Sequence, residues 1–167
     1  MTKKKSSRSG SQKIFNLIAL ILGVVAVAML FLSVVKNPDT SVLGTTIKGG
    51  ELSGLEVAFG YSENSIKCLD FSFMALIPWL LVVIGVVLTL INILSKKASK
   101  LFNYIAIILF VGAGVMFFLM PNFMAFSDSV SGLILKNLKW NLAIGSIIAG
   151  VSSILSGLVL LAGSLKK

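Results

Sequence analysis

Histidine is absent from this sequence, and cysteine occurs once, at Cys68. Without an imidazole there is no side chain that ordinarily exchanges protons near neutrality, and none of the nitrogen ligands that zinc sites favour. A single thiol forms neither an intrachain disulfide nor a CxxC metal or redox motif. Charge is scarce as well. Only 13% of the 167 residues are Asp, Glu, Lys or Arg, where a soluble domain carries roughly 25%. So few polar side chains cannot wet the surface of a chain this long, and lipid must cover much of it. These shortages exclude a soluble enzyme, a disordered regulator and a disulfide-stapled secreted module.

Apolar residues are abundant instead, at 56% with a mean hydropathy of +1.00. They gather into four runs free of acidic or basic residues, at 14–35, 71–94, 101–120 and 140–165. Each reaches the ~20 residues a helix needs to cross a hydrocarbon core of ~30 Å. A helix also satisfies its own backbone there, as any spanning segment must. The expected fold is therefore an α-helical integral membrane protein, a bundle of four transmembrane helices. The first run follows a basic segment, as a signal peptide does, but it exceeds a 7–15-residue signal core and ends LSVVKNPDT with no small-residue cleavage pattern, so it reads as a retained helix.

The basic residues are unevenly placed. Lys3, Lys4, Lys5, Arg8 and Lys13 precede the first run, Lys96, Lys97 and Lys100 join the second to the third, and Lys166 and Lys167 end the chain. The other two loops hold Lys36, Lys48, Lys67, Lys136 and Lys139 together with all six acids. The positive-inside rule then expects a multi-pass protein of the plasma membrane with both termini cytoplasmic. Its parts are a basic tail 1–13, a transmembrane domain 14–165 with outer loops 36–70 and 121–139, and a tail 166–167. Attraction to anionic headgroups accounts for the N-terminal cluster, so no nucleic acid is expected as a partner.

The first outer loop is patterned. Residues 55–61 (LEVAFGY) alternate large apolar with small or charged residues, and 66–72 resume the alternation after a turn at 62–65. That period predicts two antiparallel strands with Phe59 on the buried face. Residues 42–48, ahead of Gly49 and Gly50, suggest a third. A small antiparallel β-sheet is thus expected in this loop, resting on the outer ends of the helices because a lone hairpin is marginal in water. In the second loop Pro121 should stop the third helix, and Ser127, Asp128 and Ser129 should cap a short helix over 130–138 lying on the membrane surface. Trp79, Trp140, Lys136 and Lys139 suit a headgroup-level belt.

In the fourth run Gly145, Ala149, Ser153 and Gly157 recur every four residues. Such a stripe lets another backbone approach closely, and these four are the candidate helix-packing residues. The partner is expected within the chain, with Val159 facing lipid. Gly23, Gly85, Gly112 and Gly114 offer single close-approach points on the other runs. Asn16, Asn92 and Asn103 fall near the cytoplasmic ends, where headgroup hydration or helix capping explains them.

No GxxxxGK[ST], HExxH, GxSxG or paired-carboxylate motif occurs. No catalytic, cofactor-binding or metal-ligating residue is expected, and the chain reads as non-enzymatic. Four spans, inner termini and a β-bearing first outer loop resemble the claudin type of four-pass protein in arrangement only; that family's loop tryptophan, GLW and cysteine pair are missing here. The stretch GLEVAFGY at 54–61 and the segment 67–81, entering a Pro78-Trp79 helix start, look like uncharacterised small four-pass proteins of low-GC bacteria. That resemblance implies no activity. The expected role is an interaction or structural component whose partners are the lipid bilayer and a membrane protein or a second copy of the chain. A small transport or pore component with an uncharged path is the alternative.

Overall fold

Long runs of Leu, Ile, Val, Ala and Phe without a charge satisfy their backbone as helices, and four such helices form close to the four runs. The computed structural model describes residues 10–38, 40–42, 45–47, 49–63, 65–95 and 100–165. Most of the basic residues behind the orientation argument, at 1–9, 96–97 and 166–167, lie outside the described residues, as do Asp39, Lys48 and Asn64.

Helix α1 (Gly10–Ala28) runs through a 3-10 turn, Met29–Phe31, into strand β1 (Ser33–Lys36). A hairpin of β2 (Thr40–Val42) and β3 (Thr45–Ile47) follows, then β4 (Glu51–Ser53) and the short helix α2 (Gly54–Phe59). A second hairpin, β5 (Tyr61–Glu63) and β6 (Ile66–Leu69), leads to α3 (Phe73–Leu94). Helix α4 (Lys100–Phe118) ends in a 3-10 turn, Met120–Phe123, with Pro121 in its first turn. The chain closes with α5 (Val130–Lys136), β7 (Asn141–Leu142) and α6 (Ile144–Leu165).

Helices α1, α3, α4 and α6 pack as a ring in that order, each against its two neighbours, and α6 forms the most extensive seams. All four are long and apolar enough to cross a membrane. The strands and short helices collect at one end, which we term the cap end; residues 10 and 165 mark the tail end. One apolar core joins bundle and cap, from Ala19 and Phe110 through Trp79 and Phe117 to Val35, Val57, Leu69 and Met124.

Three expectations change. Residues 55–61 do not form a strand: 54–59 are helical, and the hairpin begins only at Tyr61. Ser53 caps α2 by accepting the Glu56 N–H at 3.3 Å, while the Glu56 carboxylate accepts the Ser53 N–H at 2.7 Å. This reciprocal capping box satisfies two N-terminal amides at once. It fixes Gly54, Val57 and Ala58 on the buried face at helical spacing, and leaves Phe59 56% exposed. Gly60 ends the helix at φ +96°, where an added Cβ would sit 2.8 Å from the Leu69 carbonyl oxygen. Secondly, the first and fourth runs are not helical throughout. Residues 33–36 and 141–142 pair as strands, Val35 facing both Leu52 and Leu142 in a three-stranded antiparallel sheet ordered β4-β1-β7. Apolar continuity does not distinguish the end of a helix from a buried strand. Thirdly, the sheet is three small sheets, since β2–β3 and β5–β6 are separate two-stranded pairs. The helix expected over 130–138 forms over Val130–Lys136, with Ser129 as its cap accepting the Gly132 N–H at 3.0 Å.

Candidate functional site

Gly145, Ala149, Ser153 and Gly157 are all buried, and neighbours of the same chain cover them. A Cβ on Gly157 would meet Val111 of α4 at 2.8 Å, and one on Gly145 would meet the Ser33 carbonyl oxygen at 2.6 Å. The close approach is mutual, because a Cβ on Gly114 of α4 would lie 3.0 Å from the Gly150 carbonyl oxygen. Toward α1 and β1 the contact is also polar. The Ser146 hydroxyl donates to the Val34 carbonyl at 2.6 Å and the Ser156 hydroxyl to the Ala19 carbonyl at 3.1 Å. Ser153 differs, its buried hydroxyl having no partner among the described residues. Val159, expected to face lipid, is half-buried against the core, whereas Leu158 is exposed.

The axis of the bundle is filled by aromatic rings. Phe110, fully buried, sits midway along α4, and Cβ atoms added at Gly23 of α1 and Gly85 of α3 would both meet its ring, at 3.0 and 3.1 Å. Those glycines make room for the ring. Gly112, by contrast, has nothing within 4 Å of an added Cβ and is not a close-approach point. Nearer the cap, Trp79 packs edge-on against Phe117 with centroids 4.5 Å apart. Trp79 is 3% exposed, so it belongs to the core and not to a headgroup belt. Pro78 precedes it, also buried, within α3, which Ser72 caps by accepting the Ala75 N–H at 3.2 Å.

At the tail end the asparagines are interior too. Asn92 is fully buried and its amide donates to the Asn103 side-chain oxygen; the Asn103 amide in turn faces the Ser164 hydroxyl at 3.5 Å. The chain of contacts links α3, α4 and α6. Asn16 of α1 is 1% exposed, with its amide nitrogen unpartnered among the described residues. The sequence had suggested hydration or capping for these side chains; Asn16 and Asn92 are instead buried within the bundle, and Asn103 is half-buried. Polar side chains between apolar helices hold them in register. Their signal was present as three asparagines within otherwise apolar runs.

On the cap, Cys68 is a buried residue of β6, and Glu56 is committed to its capping box. Lys67 pairs with Asp70 at 2.5 Å on the exposed surface. Among the described residues no three of His, Cys, Asp or Glu come together as metal ligands would. No family model, curated protein or solved structure matches this chain.

Proposed function

We propose that the chain is a multi-pass protein of the plasma membrane, with both termini cytoplasmic and the cap outside, that acts as a non-enzymatic interaction component. The observation that carries this reading is the filled axis. Phe110 seated against Gly23 and Gly85, with Phe117 against Trp79 above it, occupies the space a solute path would need. The small-residue face of α6 that would invite a partner helix is already taken by α1 and α4, and we assign the cap as the surface for a protein partner or a second copy. Asn92, Asn103 and Ser164 add support, because polar groups turned to each other stabilise a closed bundle and line no channel.

The test uses the full chain in proteoliposomes and in its native membrane. Ion conductance and small-solute flux should equal those of empty vesicles. A photo-crosslinking residue placed at exposed Lys36 should give a discrete adduct of defined mass. Specific conductance would replace this reading with the pore alternative. A reporter fused after Lys167 that is active outside the cell would reverse the orientation.

A further inference from the structure

The second hairpin carries a surface that neither the bundle nor the core explains. Helix α5 turns its small side inward: Gly132 is buried so closely that a Cβ there would meet the Ser127 carbonyl oxygen at 2.1 Å and the Cys68 carbonyl oxygen at 3.0 Å. Its outer side shows Val130, Leu133 and Ile134, exposed at 76%, 50% and 59%. These three lie on one face by their i, i+3 and i+4 spacing. Ile66 of β6, the strand α5 packs on, is half exposed as well. A helix of about 10 Å that keeps glycine inside and isoleucine outside is inverted for a surface in water.

Both ends of α5 are tied close to the level where the long helices begin. At its start the Ser129 hydroxyl donates to the Lys67 carbonyl, and the Ser127 N–H to the Cys68 carbonyl at 3.1 Å. Cys68 lies only five residues before the first residue of α3, Phe73. At its finish the Trp140 indole N–H donates to the Leu135 carbonyl at 2.9 Å, four residues before α6 opens at Ile144. Exposed Lys136 and Lys139 flank this second end.

We propose that α5 is a lipid-binding element, its Val130, Leu133 and Ile134 face sunk into the outer-leaflet boundary of the protein's own membrane and Lys136 and Lys139 at the phosphates of anionic headgroups. Apolar side chains inserted beneath a cationic rim are what holds an interfacial helix to such a surface. Two turns are too short to fold or bind alone. Here the cap folds the helix and the spanning helices hold it at the membrane, so it has only to be aimed. The proposal rests on the reading of the four long helices as membrane-spanning, and the experiment separates the two.

The test places a nitroxide at Ile134→Cys, and separately at Ile108→Cys on the exposed face of α4, in a Cys68→Ser background that keeps the weak bond to the Ile66 carbonyl. Each protein is reconstituted in nanodiscs of phosphatidylcholine with phosphatidylglycerol. Collision rates with oxygen and with a water-soluble nickel chelate are then compared. At both positions oxygen should exceed the nickel chelate several-fold, with position 134 shallower than 108. In discs of phosphatidylcholine alone position 134 should move toward water, and K136Q with K139Q should remove that dependence on anionic lipid. Lipid exposure at 108 with nickel access at 134 overturns the proposal and leaves the membrane reading intact. Protection from both reagents at 134 also overturns it, in favour of a protein cover. Nickel access at 108 overturns both.

Discussion

Helix α6 meets its two neighbours by different means. Toward α4 the seam is made mainly by shape, with Gly150 and Gly157 admitting Phe118 and Val111 side chains and Gly114 admitting Ile154, joined near the tail end by the contact of the Asn103 amide with the Ser164 hydroxyl. Toward α1 and β1 the same closeness is supplemented by hydroxyls, Ser156 on the Ala19 carbonyl and Ser146 on the Val34 carbonyl. The Ala19 carbonyl lies within a helix whose backbone already supplies a donor, so the serine is an additional bond, not the rescue of an orphan. The difference shows where each seam is vulnerable. A shape seam fails when volume is added; a hydroxyl seam loses a little when a donor is removed and nothing collapses.

Gly157→Leu should have the largest effect. With Val111 already 2.8 Å from where a Cβ would stand, the larger side chain should force α6 from α4 and cost about 1–3 kcal/mol. Unfolding in a detergent titration measures it, and Leu158→Val, on the exposed neighbour, is the control that should stay within experimental error of the parent. Equal stability of Gly157→Leu and the control would break the distinction at its stronger side. Loss of oligomer with an intact monomer would place the neighbour of this face on another chain.

Ser53→Ala should come next, removing the cap of α2 for about 1 kcal/mol. Because α2 lies in the cap, this loss should add to that of Gly157→Leu in the double variant. A strongly non-additive result would mean that the α4 seam and the cap are energetically coupled in the folded state.

Ser156→Ala should cost only about 0.6 kcal/mol, the usual worth of a side-chain bond between membrane helices. Ser153→Ala should cost nothing or stabilise slightly, since its hydroxyl is buried without a partner among the described residues and burying an unpaired hydroxyl is unfavourable. The same substitution three residues apart on one helix thus compares a bonded hydroxyl with an unbonded one. If Ser153→Ala proved the more damaging, the weight given to the bonded hydroxyl of Ser156 would be wrong.

Phe59→Asp closes the series. The side chain is 56% exposed and only tilts against Phe71, 6.2 Å between ring centroids. Its replacement should leave the melting curve of the purified protein nearly unchanged, the opposite of what a buried strand position would give.

The long helices and the stripe were legible because helical spacing repeats within each run and needs no knowledge of distant residues. Gly145 to Gly157 declare a close approach wherever they are read. The cap was less legible because its elements are short. Over six residues, Val57 and Ala58 fit a helix face and an alternating strand nearly as well. The deciding signal was Ser53 with Glu56 three residues on, a capping pair whose first member lies just outside the alternating stretch. The ends of the first and fourth runs were misjudged because Val34, Val35 and Leu142 are as apolar in a strand as in a helix. What makes them strands is pairing of Val35 with Leu52 on one side and with the distant Leu142 on the other, which no local pattern contains. Trp79 and the asparagines were misplaced for a related reason: depth along a helix was read correctly, but which way each side chain faces depends on Phe117, Asn103 and Ser164 arriving from elsewhere.

The order of synthesis gives the α6 seams a further consequence. The helix that forms the most extensive seams in the ring is the one that leaves the ribosome after the other three. Until Ile144–Leu165 emerges, α1 and α4 have no helix between them, and the Val34 carbonyl lacks the Ser146 hydroxyl, although Ala143, whose N–H reaches it at 3.0 Å, is already made. A chain interrupted soon after α4 holds α1, α3 and α4 with one side of the ring open and β1 lacking its β7 neighbour. Completion of α6 therefore closes the bundle directly after β7 has supplied the last strand of the cap sheet.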